Sequence, residues 1–224
     1  MTGAELAAAI GRVRQQLPAQ PIVVDLQGAK MRVGRFPRRR VRVGERVSFR
    51  LAADADAQGA VPVPHPELFR AAQIGELLRC DDDRLRFAVT ETTDDALWAR
   101  CEVDGTLEPR KAINLEDHPV ELEALCQADR DQLDRIADVE NLSFAFSFME
   151  DGREAAWVRQ LAPTSPVVGK IERRRALEQL GTIAARVDGL WICRGDLGAQ
   201  LGQADLAPAV ARLQPNAIDV PMLM

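Results

Sequence analysis

The sequence predicts an α/β protein of parallel βα units with a small all-β insertion near its start. Three observations predict it. From about residue 120 to the end, apolar segments of strand length alternate with helical patterns of about 10–15 residues. A helix–strand pair over residues 2–26 has the same texture. Between them, from about 30 to 115, apolar residues recur with a period near two among arginines, and the turn clusters GE, DAQG, DDDR, TDD and DG punctuate them.

Each element has its own signal. Residues 2–17 read as a helix: Thr2 and Glu5 have capping-box spacing, Leu6, Ile10, Val13 and Leu17 form one stripe, and Pro18 and Pro21 end it. Ile22–Leu26 is a buried strand carrying Asp25. Strands of the insertion run through Val33, Phe36, Val41, Val43, Val47, Phe49 and Leu51, then Leu85, Phe87 and Val89, then Leu97, Ala99, Cys101 and Val103. A helix is expected over 120–138, with a break near Gln127–Asp129, and a strand from Leu142 to Met149. Asp151 is the expected cap of a helix reaching 161, with Glu154 three residues on. Val167–Glu172 is a strand, 173–186 a helix and Leu190–Cys193 a strand running into RGDLG. A helix over 204–213 and a strand from Ala217 to Met224 close the chain. The expected division is 1–29 with 115–224 for the βα part, and 30–114 for the insertion.

Composition excludes several classes of protein. The chain has 224 residues, 46% apolar and 28% charged, with a net charge of −5. It is long enough for a sizeable core, and its mild acidity argues against a general nucleic-acid binder. No apolar run approaches the ~20 residues of a membrane span, and the N-terminus lacks the layout of a signal peptide. Cys80, Cys101, Cys126 and Cys193 have no CxxC spacing and fit reduced thiols in a cytoplasmic protein. His65 and His118 are the only histidines, and each precedes a proline, so a Ser-His-Asp triad or a histidine-built zinc site is hard to assemble. The cations are 26 arginines and only 3 lysines (Lys30, Lys111 and Lys170). Arginine and lysine are not interchangeable, which marks each lysine for attention.

In parallel βα architectures, chemistry collects where strands end. Strand ends here carry Asp25, Ser147, Lys170, Glu172, Arg194 and Asp196. Lys170 and Glu172 are two apart on one strand and so point the same way. Two carboxylates from neighbouring strand ends, Glu172 and Asp196, suit a hard divalent cation, Mg²⁺ or Mn²⁺. A lysine beside them adds charge where an enolate or phosphoryl group develops its own. Gly195 and Gly198 flank Asp196 and let backbone N–H groups approach an anion. On spacing alone an ordinary Lys170–Glu172 ion pair and a GDLG turn fit equally well. An adhesion role for RGD does not suit a reduced, cytoplasmic protein.

A second cationic cluster is Arg32, Arg35, Arg38, Arg39, Arg40, Arg42 and Arg46. A phosphate clamp is one use. The solvated face of a small β-barrel, whose edges arginines blunt, is the favoured one. Lys30 and Arg32, just past a strand end, stand apart from it. The Asp81–Asp83 run reads as a turn without calcium-loop spacing.

Five segments, in order, resemble motifs of the pyruvate kinase family: DLQGAKMRVG (25–34), DGTLEPRKAINL (104–115), FAFSFM (144–149), VVGKIERRRAL (167–177) and DGLWICRGDLGAQLG (188–202). The resemblance implies a partial (β/α)8 TIM-type barrel with an inserted β-barrel lid, and transfer of phosphoryl between phosphoenolpyruvate and ADP to give pyruvate and ATP. On matching positions it implies Glu172 and Asp196 as the Mg²⁺ ligands and Lys170 as the catalytic cation. Gly195, Asp196 and Ser147 fall at the substrate, Arg32 and Lys111 at nucleotide phosphates. Asp25 falls at a monovalent-cation position, with Lys30 standing in for potassium, so potassium is not required.

The chain also departs from the family pattern. Segments matching the first two barrel strands, the Thr-bearing segment after strand seven, strand eight and the C-terminal regulatory domain are missing. Ala29 stands for the usual Pro, and Gly169 for Ser or Ala. These departures leave open a Mg²⁺-dependent aldolase or lyase of a pyruvate enolate, or a non-catalytic relative. They also predict an open partial barrel that forms a homo-oligomer or is completed by a partner chain.

Overall fold

Helix α1 (Gly3–Gln16) starts where its capping box predicts. The Thr2 N–H donates to Glu5 Oε2 (2.7 Å) and the Glu5 N–H to Thr2 Oγ1 (3.2 Å). The computed structural model describes residues 2–223, apart from 56–58, 82, 116–119, 121, 202 and 214–217. His118, Asp82 and part of the last expected strand therefore lie outside the described residues. The chain divides into two units, Met1–Ala29 with Glu123–Met224 and Lys30–Leu122.

After α1 comes β1 (Ile22–Leu26), and the chain then enters the β unit. Its elements are β2 (Arg39–Val41), β3 (Arg46–Arg50), β4 (Val61–Pro62), α2 (Pro66–Ala71), β5 (Leu77–Cys80), β6 (Leu85–Thr92), β7 (Ala96–Cys101), β8 (Gly105–Leu107) and β9 (Ile113–Leu115). Strands β2 and β8 form an antiparallel pair, and the other six form one sheet in the order β4-β3-β7-β6-β5-β9. The β3–β4 pair is parallel, a departure from the all-antiparallel expectation. Inward positions alternate along the strands as predicted: Val47, Phe49, Phe87, Leu97, Ala99 and Cys101 are wholly buried. Phe49 and Phe87 meet edge to face at 5.5 Å. Several arginines of this unit pair with carboxylates: Arg35 with Asp54, Arg39 with Glu45, and Arg46 with Glu91. Buried His65 accepts the Arg32 N–H at Nε2 (3.1 Å).

The second part of the βα unit contains α3 (Gln127–Ile136), β10 (Leu142–Phe146), α4 (Glu154–Leu161), β11 (Val167–Ile171), α5 (Arg174–Glu178), α6 (Leu180–Ala184), β12 (Gly189–Ile192), α7 (Arg194–Leu201), α8 (Gln203–Ala211) and β13 (Met222–Leu223). Its five strands form one all-parallel sheet in the order β1-β10-β11-β12-β13. Chain order without a crossover is the order of consecutive staves in a (β/α)8 barrel, so this unit is a partial barrel. The inner strand β10 reads LSFAF because both of its faces are covered, with Phe144, Ala145 and Phe146 buried.

Several helix boundaries differ from the sequence expectation. Helix α3 begins at Gln127, because Cys126 is extended (φ −63°, ψ 154°). The helix expected over 173–186 is two, because Gln179 leaves helical geometry (φ −96°, ψ 13°) just before Gly181. At α4, Asp151 Oδ1 accepts the Arg153 N–H, while the Glu154 carboxylate reaches back to the Glu150 and Gly152 N–H groups. The segment RGDLG is the first turn of α7 rather than a free turn. Among the described residues no helix is long and apolar enough to cross a membrane, and all four cysteines are free.

Two predictions follow from packing. A Cβ at Gly169 on β11 would lie 2.7 Å from Met149 Sδ and 3.3 Å from Ile183 Cγ2, whereas one at Gly181 meets nothing within 4 Å. Gly169→Ala should cost about 1–3 kcal/mol by overpacking. Gly181→Ala, in an open helix position, should gain up to about 1 kcal/mol. Urea midpoints of the two variants, moving in opposite directions, check both. The second prediction concerns pH. Burial lowers the His65 pKa from 6.5 to about 4. The unfolded chain therefore binds a proton that the folded one refuses. Stability should be full above pH 6.5 and fall as pH drops toward 4. His65→Gln should flatten that part of a stability–pH profile.

Candidate active site

Parallel pairing in register brings the C-terminal ends of β1, β10 and β11 side by side: Asp25 is opposite Ala145, and Phe146 opposite Gly169. Lys170 alternates to the face opposite Gly169 and Ile171. From β11 its side chain crosses β10 to reach β1, a span of about two strand spacings of ~4.8 Å. The residue it crosses is Ser147, which is small enough to pass and polar enough to bond.

The Lys170 ammonium lies 3.0 and 3.1 Å from the two Asp25 oxygens, 3.0 Å from Ser147 Oγ and 3.3 Å from Glu172 Oε1. Its three N–H donors thus face three acceptors from three adjacent strand ends. Burial works against the charge, but the Asp25 hydrogen bond and the charges of Glu172 and Asp25 outweigh it. The Lys170 pKa is raised, and the side chain stays protonated at neutral pH. Its side chain is 12% exposed and that of Glu172 3% exposed, whereas that of Asp25 is 61% exposed. The arrangement is a cation between a buried and an open carboxylate.

Glu172 is fixed from its other side. Its Oε2 accepts the Phe148 N–H at 2.6 Å, and Phe148 sits in the left-handed region at φ 56°, a sparsely occupied conformation for a large residue. The Arg173 guanidinium lies 5.2 Å over the Phe148 ring and donates Nη2–H to Ala29 O (2.9 Å). Burial lowers the Arg173 pKa, and Glu150, Glu154 and Glu172 oppose that shift. Asp196 is half-buried in the first turn of α7. Cys193, between the two acids in sequence, has its thiol pushed up to about 12, by burial first and then by the charge of Glu172, with a smaller push from Asp196. Gly195 is exposed, with no atom within 4 Å of where a Cβ would stand.

As metal donors, Glu172 and Asp196 are two hard carboxylates. Glu172 faces Lys170 with Oε1 and accepts the Phe148 N–H with Oε2. No group of three or more His, Cys, Asp or Glu side chains suited to a metal occurs among the described residues. Hard carboxylates suit Mg²⁺, which keeps water and substrate oxygens in its shell.

Of the residues marked by sequence, the structure gathers Asp25, Ser147, Lys170 and Glu172 at one point. Lys30, Arg32 and Lys111 belong to the β unit. There Arg32 Nη1 donates to Arg110 O (3.0 Å), and Lys111 pairs with Asp81 (2.9 Å) and Glu108 (3.5 Å). Lys30 is half-buried. Sequence reasoning passed over Asp129, Phe148 and Arg173. Arg173 adjoins a marked residue, which was a usable signal. Asp129 stands in an ordinary polar helix turn that offered none.

The family model for the pyruvate kinase barrel domain matches residues 4–215. Pyruvate kinases of Agrobacterium vitis and Methylorubrum extorquens are 29% and 32% identical over 189 and 183 residues, 83% and 80% of this chain but 40% and 38% of theirs. The crystal structure of pyruvate kinase from Pyrobaculum aerophilum superposes with a TM-score of 0.71 at 29% identity, covering 95% of this chain and 49% of that one. That of Cryptosporidium parvum pyruvate kinase gives 0.76 at 21% identity, a likeness of fold. The chain thus spans about two fifths of the length of its curated relatives, and over that span its strands, motifs and matches agree: it belongs to the pyruvate kinase family.

Proposed function

We propose that the chain carries out pyruvate-kinase-type chemistry, Mg²⁺-dependent phosphoryl transfer between phosphoenolpyruvate and ADP. The observation that carries this reading is the Lys170 ammonium, held protonated between Asp25, Ser147 and Glu172. In the forward direction a terminal phosphate oxygen of ADP attacks phosphorus, the enol C–O–P bridge breaks at phosphorus, and the enolate takes a proton at carbon to give pyruvate. Negative charge grows on the bridging oxygen and on the transferring group. Lys170 supplies a fixed positive charge beside both, without reorganisation at the moment of reaction. Glu172 and Asp196 would hold the divalent ion, Mg²⁺ or Mn²⁺. When bound, the ion supplies electrophilic stabilisation to substrate oxygens.

The remaining assignments rest on the motif match. The Gly195 and Asp196 backbone would face the substrate carboxylate, and Arg32 and Lys111 the nucleotide phosphates. Lys111 would have to leave Asp81 and Glu108 to do so. Asp25 and Lys30 stand where the family handles a monovalent cation, and a fixed ammonium at 30 makes potassium dispensable. A homo-oligomer or partner chain, and a cytoplasmic location, belong to the same reading.

Pyruvate release from phosphoenolpyruvate, ADP and Mg²⁺ tests it. Lys170→Met and Asp196→Asn should each lower kcat by about 10²–10³ or more. No turnover, with Mg²⁺-dependent oxalate binding lost in Asp196→Asn, would instead support enolate chemistry without phosphoryl transfer. Absence of both activity and Mg²⁺-dependent binding overturns the site. The potassium assignment has its own test. The rate should be the same in potassium and in tetramethylammonium salts, and Lys30→Glu should make it potassium-dependent.

A further inference from the structure

The loop after β1 is held at three successive backbone N–H groups and at the carbonyls of Leu26 and Ala29. Asp129, 1% exposed in the first turn of α3, points its carboxylate out of its own helix and takes two backbone donors from that loop, Gln27 N–H at Oδ1 and Gly28 N–H at Oδ2, both at 2.8 Å. The Ala29 N–H donates to Ser147 O (3.0 Å), a bond that proline at this position would abolish. Ala29 O accepts from Arg173, and Leu26 O accepts from Ser147 Oγ (2.8 Å). Gly28 has φ 62°, and a Cβ there would stand 2.0 Å from Ser147 O, so the loop lies directly against the backbone of Ser147.

Each acceptor of the Lys170 ammonium is tied to this one loop. Asp25 lies two residues before Gln27. Ser147 is bonded to both Leu26 and Ala29. Glu172 adjoins Arg173, which is seated on Ala29 O. We propose that Asp129 is a positioning residue for Lys170: by clamping Gln27 and Gly28 it fixes the three acceptors that aim the ammonium. The proposal deepens the functional reading above and rests on it for the role of Lys170, but Asp129 touches no reacting atom.

Holding two backbone donors in the dry interior costs Asp129 solvation. Burial raises its pKa, the Gly28 and Gln27 N–H groups and Cys126 lower it, and the charge of Asp25 adds to the rise. The carboxylate is thus retained against its own desolvation penalty, as expected of a group kept for geometry.

The test uses Lys170 and Lys111 as probes and needs no turnover, so it stays informative if the chain transfers no phosphoryl group. The intact protein is labelled briefly with acetic anhydride, and the modification at each lysine is read by mass spectrometry. Asp129→Asn keeps the shape but offers an amide where one N–H must be accepted. It should raise the labelling of Lys170 relative to Lys111 about tenfold, the equivalent of ~1.4 kcal/mol lost from a charge-assisted hydrogen-bond system. A role confined to stability would instead lower the thermal midpoint, and the excess labelling of Lys170 would vanish well below that midpoint. An unchanged Lys170/Lys111 ratio in the folded variant overturns the proposal. If Asp129→Asn does not fold, hydrogen exchange in the unmodified protein decides. The Gln27 and Gly28 amides should exchange as slowly as those of β1, and fast exchange there removes the clamp.

Discussion

One ammonium group holds three strand ends together. Lys170 carries a charge into a site where its side chain is 12% exposed, and such a charge persists only if every donor is met. Its acceptors come from β1, β10 and β11, three strands far apart in sequence that chain-order parallel pairing makes neighbours. The requirement then propagates outward. The side chain between Lys170 and Asp25 must be small and must accept a hydrogen bond, and Ser147 is both. The residue before the lysine faces away from the site, where a Cβ would crowd Met149 Sδ (2.7 Å) and Ile183 Cγ2 (3.3 Å), and it is glycine.

Behind the lysine lies a second layer of paired charge. Glu172 faces Lys170 with one oxygen and the Phe148 N–H with the other, and the second bond requires a left-handed phenylalanine. Arg173 stacks on that ring, and Glu150 and Glu154 stand within its electrostatic reach. Arg175 pairs with Glu150 at 2.6 Å, and the buried Glu154 is satisfied by backbone N–H groups of its own turn. Acids and cations alternate from the open carboxylate of Asp25 inward to Glu154. Alternation of this kind sets each buried charge beside one of opposite sign.

The features legible in the sequence were those set by local periodicity or by neighbours in the chain. The capping box of α1, the five barrel strands and the change of texture around residue 30 needed no tertiary knowledge. The pairing of Lys170 with Glu172 followed from a period of two. Helix limits were less legible where a tertiary contact competes with the local signal. At α4, Glu154 serves the Glu150 and Gly152 amides, although Asp151 has the better capping spacing. The expected break near Gln127–Asp129 falls at the start of α3, after the extended Cys126, whereas the one at Gln179, two residues before Gly181, was not expected. Asp129 was illegible for the strongest reason. Its partners are 101 and 102 positions away, and nothing near it in sequence distinguishes a carboxylate that leaves its helix from one that faces water.

The scarcity of lysine in this chain has a geometric explanation at position 170. With 26 arginines against 3 lysines, arginine is the cation used wherever a single carboxylate must be met, and the flat fork suits it. Arg35 on Asp54 and Arg86 on Asp83 are both two-pronged contacts to one acid. Asp25, Ser147 and Glu172 do not lie along one edge. They surround the cation, and a tetrahedral ammonium can send one proton to each, whereas a planar guanidinium directs its five along fixed in-plane lines. Arginine at 170 would also bring a bulkier head over Ser147. Lys111 shows the same preference in milder form, dividing its protons between Asp81 and Glu108. At position 170, where one charge answers a serine and two carboxylates, the chain departs from its usual cation.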